Sequence, residues 1–366
     1  MAPPTFLLQN EDDPIYDVKN SLVYCAALSS PVKSFVTDPT LGFRIMSLTT
    51  DGTCSTERLP SNCGWISVVI CFWFLFAGLS TAAQDVLTWH NDNARTGADL
   101  NEKILTLQNV NPKTFGKLFV IHVDGKVDAE PLYAGQLDIP KVGSRNVLFV
   151  ATEHDSVYAF DADTGKEFWP VRLVGFGETT SDNRGCSQVV PEIGITSTPV
   201  IDLHRGPHGT IYVVAMSKDQ GGHYLQRLHA LDLQSGGEEF GGPVEIRATF
   251  PGTGAASREG TAIFDPKQYE ERAALLSNGV IYASWASHCD IDPYNGWIIG
   301  YNADTLKQTA VLNFTANGTE GSVWQSGAGP AADPQGFIYA LAANGTFDTK
   351  LNSYGFPERG DFGTRS

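Results

Sequence analysis

Residues 147–169 read VLFVATEHDSVYAFDADTGKEFW, and the return of this pattern along the chain leaves few folds open to it. Five apolar residues (147–151) precede a polar corner (152–156). A second apolar run, Val157-Tyr158-Ala159-Phe160, leads into the turn 161–165 (DADTG) and an aromatic close at Phe168-Trp169. Short β-rich runs separated by a polar turn and ended by an Asp/Gly turn predict consecutive antiparallel strands. The pattern recurs as TIYVVAM (210–216) with LHALDLQSG (228–236), and as VIYASWA (280–286) with WIIGYNADT (297–305). FIYALAA (337–343) opens a fourth copy. The central aromatic falls at Phe149, Tyr212, Tyr282 and Tyr339, at spacings of 63, 70 and 57 residues. The turn residue recurs as Asp161, Asp232 and Asn302, spaced 71 and 70.

Self-similarity on this scale marks an array of supersecondary units, and the period exceeds the ~40–45 residues of a minimal propeller blade, so each unit carries long loops. A strand-like run precedes each copy: EPLYA (130–134), TPVIDL (198–203), AALLS (273–277) and, a poorer match, residues 329–333. The apolar runs are continuous rather than alternating, which predicts strands covered on both faces. Blades stacked face to face meet that demand, and no helix-period segment competes. The expected fold is all-β: a β-propeller of four-stranded antiparallel blades over residues 121–366, three full repeats and a partial fourth. The sequence stops at Ser366 before another turn segment appears. A ring normally needs ~4–8 blades, so the expectation is an incomplete ring from a longer gene.

The run 157–169, VYAFDADTGKEFW, resembles the repeat of the pyrroloquinoline-quinone (PQQ) propeller family, where such a segment joins the third and fourth strands of a blade. Residues 84–120 form a lead-in. Within it, Trp89, Arg95, Asn109-Val110 and Lys117-Leu118 are similar to the segment preceding the first blade of quinoprotein dehydrogenases. The resemblance covers residues 86–355 and is specific for fold; many members of this repeat family are not enzymes. It implies a site for PQQ and calcium if the chain is catalytic. Those dehydrogenases place a cofactor- or calcium-contacting Glu before a Gly/Thr-rich strand leading to a Pro, and Glu192 in VPEIGITSTP (190–199) stands in a similar place. Carboxylate and amide oxygens suit calcium; the plainer reading is a loop carboxylate beside an X-Pro bend. Trp285 and Trp324 end strands in copies three and four, where a flat quinone or a sugar could stack, or where aromatics simply fill the space between blades.

Glu153-His154-Asp155 occupies the polar corner of the first copy. It offers carboxylates and an imidazole for a metal or for acid–base work, or it is a plain polar turn like Ser217-Lys218-Asp219 in copy two. Other features count against catalysis: there is no adjacent Cys pair, no Cys-x-x-Cys-His haem site, no Gly-x-Ser-x-Gly elbow and no Gly-rich phosphate loop.

The net charge of −16 excludes nucleic acid and anionic membrane surfaces as partners. Residues 1–64 carry no strand repeat and read as a disordered or mis-annotated extension. The fourteen-residue run 66–79 (ISVVICFWFLFAGL), followed by Ser80-Thr81-Ala82-Ala83, makes 65–83 a signal peptide cleaved after Ala83 or an uncleaved membrane anchor. Either way the blades are exported: periplasmic, cell-surface or extracellular. Beyond the segment only Cys186 and Cys289 remain of six cysteines, as a disulfide or as two free thiols. Three Asn-x-Thr triplets, at Asn313, Asn317 and Asn344, matter only in a glycosylating secretory route. The expected function is a binding scaffold for a protein or glycan. The alternative is a PQQ- and calcium-dependent oxidoreductase acting on alcohols or sugars.

Overall fold

The strands form where the apolar runs predict them. The structure, a computed structural model, describes residues 84–102, 104–325, 328–353 and 356–363; the extension 1–64 and the segment 65–83 lie outside these. The first blade is β1 (Leu132–Ile139), β2 (Gly143–Ala151), β3 (Ser156–Asp161) and β4 (Glu167–Arg172), antiparallel in chain order. Its register aligns Leu132, Phe149, Ala159 and Trp169 in one row. A hairpin of β5 (Thr179–Asp182) and β6 (Glu192–Ile193) intervenes before the second blade. That blade is β7 (Val200–Asp202), β8 (Thr210–Lys218), β9 (Tyr224–Asp232) and β10 (Val244–Glu245), with β5 added against the far end of β8. A small sheet of β11 (Thr249–Pro251), β12 (Ser257–Arg258) and β13 (Thr261–Ile263) precedes the third blade. The third blade comprises β14 (Tyr269–Ser277), β15 (Val280–Ser287), β16 (Trp297–Asn302) and β17 (Gln308–Asn313). Finally β18 (Ala331–Ala332) pairs with β19 (Ile338–Tyr339).

Phe149, Tyr212, Tyr282 and Tyr339 occupy matching positions on β2, β8, β15 and β19, each opposite the first strand of its own sheet. The insertions β5–β6 and β11–β13 take up the residues that stretch the period. Among the described residues no helix is long and apolar enough to cross a membrane.

The continuous apolar runs are explained by burial on both faces. Along β8, Ile211, Val213 and Ala215 pack with Phe149, Val157, Ala159 and Trp169 of the first blade. Tyr212 and Val214, on the other face, pack with Ile281, Ala283, Trp285 and Trp297 of the third. Each Val, Ile or Phe among them, taken fully from water, contributes about 1.5–3 kcal/mol.

Directed hydrogen bonds fix the blade-to-blade seams. Trp169 donates through Nε1 to the Leu233 carbonyl at 3.1 Å. Its ring lies over Gly236, where a Cβ would come within 2.7 Å of it. In the next seam the Tyr212 hydroxyl donates to the Ala303 carbonyl at 2.9 Å. The turns supplying these carbonyls share one device. Asp161 accepts from the amides of Asp163 and Thr164, Asp232 from those of Gln234 and Ser235, and Asn302 from that of Asp304. Such side-chain-to-backbone bonding is why Asp or Asn recurs there.

Replacing Trp169 separates the two parts of its contribution. Trp169→Ala is expected to cost about 3–5 kcal/mol through lost packing. Trp169→Phe keeps most of the packing and loses about 1 kcal/mol with the hydrogen bond. Urea denaturation checks both; equal losses for the two variants would contradict the seam as described.

Candidate functional site

The first strands of the copies approach one another. The Ala274 amide of β14 donates to the Thr198 carbonyl just before β7, and the Glu130 amide before β1 donates to the Thr198 hydroxyl, at 3.1 and 2.9 Å. Two groups of polar residues gather along these strands.

The lead-in supplies the first group. Val86 exchanges both backbone hydrogen bonds with Tyr133 of β1, and the Leu87 carbonyl accepts from Ile201 of β7. The Arg95 guanidinium donates to the carbonyls of Ala274 on β14 and Pro330 before β18, both at 3.0 Å. It also reaches the Thr88 hydroxyl and the Trp89 carbonyl. The Asn93 side chain donates to the Leu276 carbonyl, and the Asn93 carbonyl accepts from Ala332. The lead-in therefore ties all four first strands together. Burial depresses Arg95 to about 10, still well above neutral pH, so it stays charged while serving uncharged carbonyls. The sequence resemblance pointed to Arg95 by position; its role as a clamp comes from contacts 179 and 235 residues away in sequence.

The second group lies at the end of the blades where the first strands begin. Glu153 is fully buried, and its Oε2 accepts from the Gly194 amide at 2.8 Å and the Thr196 hydroxyl at 3.0 Å. Only glycine fits at 194, because a Cβ would lie 2.3 Å from the Glu153 carbonyl oxygen. The Oε1 of Glu153, both carboxylate oxygens of Asp155 and the Oε1 of Glu271 have no hydrogen-bond donor. Burial raises all three carboxyls well above their ordinary range. The Asp128 carboxyl adds to the effect at Glu153, whereas Arg172 and Arg272 partly oppose it at Asp155 and Glu271. The Ser197 hydroxyl donates to Glu271. Glu270 meets His288 Nδ1 and has Arg184 and Arg272 at 3.9 Å.

The candidate residues read from the sequence are only partly brought together. Glu192 pairs with His154 Nδ1 at 2.9 Å and accepts from the Thr180 hydroxyl at 2.5 Å, which occupies both its oxygens. Glu153, His154 and Asp155 do not act as one ligand set: adjacent side chains on a tight turn diverge, His154 toward Glu192 and Glu153 toward Gly194 and Thr196. Among the described residues the three are not a convergent metal-ligating group. Trp285 is fully buried, donates to Gln226 Oε1 at 2.7 Å and meets Phe264 edge-on, so it serves the core between blades rather than a stacking face. Trp324 donates to Asn344 Oδ1 at 2.9 Å. Cys186 and Cys289 form a disulfide with Cα atoms 6.4 Å apart, joining the β5–β6 loop to the connection after β15.

A bound quinone needs space as well as ligands. Small-molecule sites run to roughly 300–1,000 Å³. The cavity between Gly194, Thr196, Met216, Gln226, Tyr269 and Glu271 measures about 10 Å³, the scale of one water molecule. None of Glu192, Glu153, His154, Asp155, Trp285 or Trp324 lines that cavity.

No protein-family model matches the chain, and no curated protein matches it. Solved structures resemble it at the level of fold, and they are of the kind its repeat resembles. The quinohemoprotein alcohol dehydrogenase ADHIIG of Pseudomonas putida HK5 is 17% identical with a TM-score of 0.46, over 72% of this chain and 35% of that one. The quinohemoprotein alcohol dehydrogenase of Comamonas testosteroni is 12% identical with a TM-score of 0.31, over 77% and 52%. BamB of Moraxella catarrhalis is 16% identical with a TM-score of 0.19, over 51% and 55%. The chain thus spans about a third to a half of the length of these proteins.

The buried carboxyls set a pH signature. Glu153, Asp155 and Glu271 hold protons to higher pH in the folded chain than in the unfolded one. Their contribution to stability is complete below an unfolded value of about 4 and is lost as pH rises through the folded values. Glu178 and Asp182, lowered to about 2 chiefly by hydrogen bonds from Arg227 and Lys218, act oppositely, and their contribution is lost as pH falls toward 2. Between pH 5 and pH 8 the melting temperature of the parent is expected to fall, and Glu153→Gln and Asp155→Asn should flatten that fall. Parallel curves would contradict the burial argument.

Proposed function

We propose that this chain is an exported, non-catalytic β-propeller scaffold that binds a partner through the long connections at one end of its blades. The observation that carries this reading is the set of long connections gathered at the end where the first strands begin. The outer loops of this end are partly apolar. The tight Asx turns lie at the opposite end, whereas β5–β6, β11–β13 and the connection after β15 all lie at this one. Phe176 between β4 and β5, Val190 in the β5–β6 loop, Ile263 on β13 and Ile291 after β15 are exposed. Exposed apolar side chains on loops held by a rigid sheet suit a protein surface, and a glycan is the second kind of partner such loops accommodate. The disulfide supports the exported location, since such bonds persist in oxidising compartments.

The test is a titration of the purified chain with PQQ and calcium, followed by tryptophan fluorescence and by dye-linked oxidation of simple alcohols and aldoses. The expected outcome is no saturable quenching and no dye reduction from a sample with native circular dichroism. Saturable, calcium-dependent quenching with dye reduction would replace the scaffold by a quinoprotein oxidoreductase and would direct mutagenesis to Glu192.

A further inference from the structure

One cluster of metal-ligating side chains lies where the β5–β6 loop meets the connection after β15. The ligand atoms of Cys186, Cys289 and His288 all lie within 4.8 Å of one another, and no other such trio occurs among the described residues. We propose that these three residues form a redox-gated site for a soft divalent metal ion of the zinc class, closed while the cysteines are a disulfide and open when they are thiols.

The donor set is one that zinc takes: two thiolates and an imidazole, with a fourth position left for water. The His288 ring is already held through one of its nitrogens. Its Nδ1 meets the Glu270 carboxylate, with both side chains almost fully buried. A carboxylate behind the imidazole is the arrangement that fixes the ring of a metal-bound histidine and directs its other nitrogen at the ion. That other nitrogen, Nε2, donates to the Asn183 carbonyl at 2.9 Å. Asn183 belongs to the cysteine loop itself, for its carbonyl also accepts from the Cys186 amide at 2.9 Å. His288 Nε2 thus faces the loop that carries the first sulfur and adjoins the residue that carries the second. Both cysteines are half-buried, so reductant, ion and water can reach them from solvent.

Arg184 adds a second observation. Its side chain is 5% exposed, and none of its guanidinium nitrogens has a hydrogen-bond partner. Its nearest carboxylate, at 3.9 Å, is Glu270, the group that also holds His288 Nδ1, so the guanidinium belongs to the ionic cluster behind the imidazole.

The chemistry balances with one named co-reactant. A dithiol reductant gives two electrons and two protons to the Cys186–Cys289 bond and leaves as its own cyclic disulfide. Binding of the ion then releases the two thiol protons and the Nε2 proton to solvent. The same sulfurs serve both states, so disulfide and metal exclude each other. Either state ties the β5–β6 insertion of the second blade to the third blade across 103 residues.

The test uses the full chain with Cys25, Cys54, Cys63 and Cys71 changed to Ser, leaving only the pair in question. Cobalt(II) serves as the zinc probe, added to oxidised protein and to protein reduced with a dithiol that is then removed. The reduced chain should show thiolate-to-cobalt charge transfer and tetrahedral visible bands, bleached by one equivalent of zinc, and the oxidised chain neither. Cys289→Ser should abolish the charge transfer, and Glu270→Gln should weaken cobalt binding about 10–100-fold. A reduced chain with two titratable thiols, native circular dichroism and no charge transfer would overturn the proposal. Unfolding on reduction would overturn it equally, because the site requires the reduced fold. Cobalt binding unchanged in His288→Gln would also sink it, since an ordinary dithiol chelate would then suffice.

Discussion

A blade whose middle strands are apolar on both faces cannot be left with either face bare, and every other feature of this chain follows from that demand. β8 has eight of its nine residues buried and sends alternate side chains to the blades before and after it. Neither face could be given up without exposing a row of Val, Ile or Tyr to water. Hydrophobic packing alone is tolerant of sliding. The seams therefore carry directed bonds as well, Trp169 to Leu233 in one and Tyr212 to Ala303 in the next, each donated to a carbonyl at or beside the repeated turn. Asp161, Asp232 and Asn302 hold that turn in shape, so the same residues that shape a blade locally present the acceptor its neighbour needs.

Near the first strands the problem reverses, because there polar groups must be kept from water. Arg95 resolves one part by giving its N–H groups to carbonyls on two different copies. Burial raises the carboxyls of Glu153, Asp155 and Glu271, because an isolated buried carboxylate is costlier than a neutral acid. Glu270 stays among His288, Arg184 and Arg272. A buried ionic group of this kind adds little net stability beside an apolar replacement. Its effect here is to define which side chains meet.

The fold was legible because its signal is periodic. Four copies of an apolar run with a central aromatic and three Asp or Asn turns fix strand identity and order before any contact is known. What lay between the copies was not legible. Nothing in residues 179–193 has the repeat's period, yet they form the β5–β6 hairpin that carries Glu192 to His154, 38 residues away in sequence. The three short strands at 249–263 were invisible for the same reason. Trp285 looks the same in the sequence whether it stacks on a ligand or fills a seam; only its complete burial and its bond to Gln226 distinguish the two. Cys186 and Cys289 carried no spacing signal, and their bond depends on the hairpin and the third blade being packed first.

The distribution of loops bears on what the fold can do. A catalytic centre in such an array needs preorganised groups pointing into a space that substrate can enter. Here His154 and Glu192 are paired with each other, and Trp285 is buried in the seam between the second and third blades. The freedom to vary lies instead in connections at one end, where an insertion costs only slowly rising loop entropy and leaves the seams untouched. Those connections reach into solvent on a frame fixed by Trp169, Tyr212 and Arg95, with the Cys186–Cys289 tie holding two of them together. Rigid support beneath partly apolar loops is the arrangement that the proposed binding role calls for.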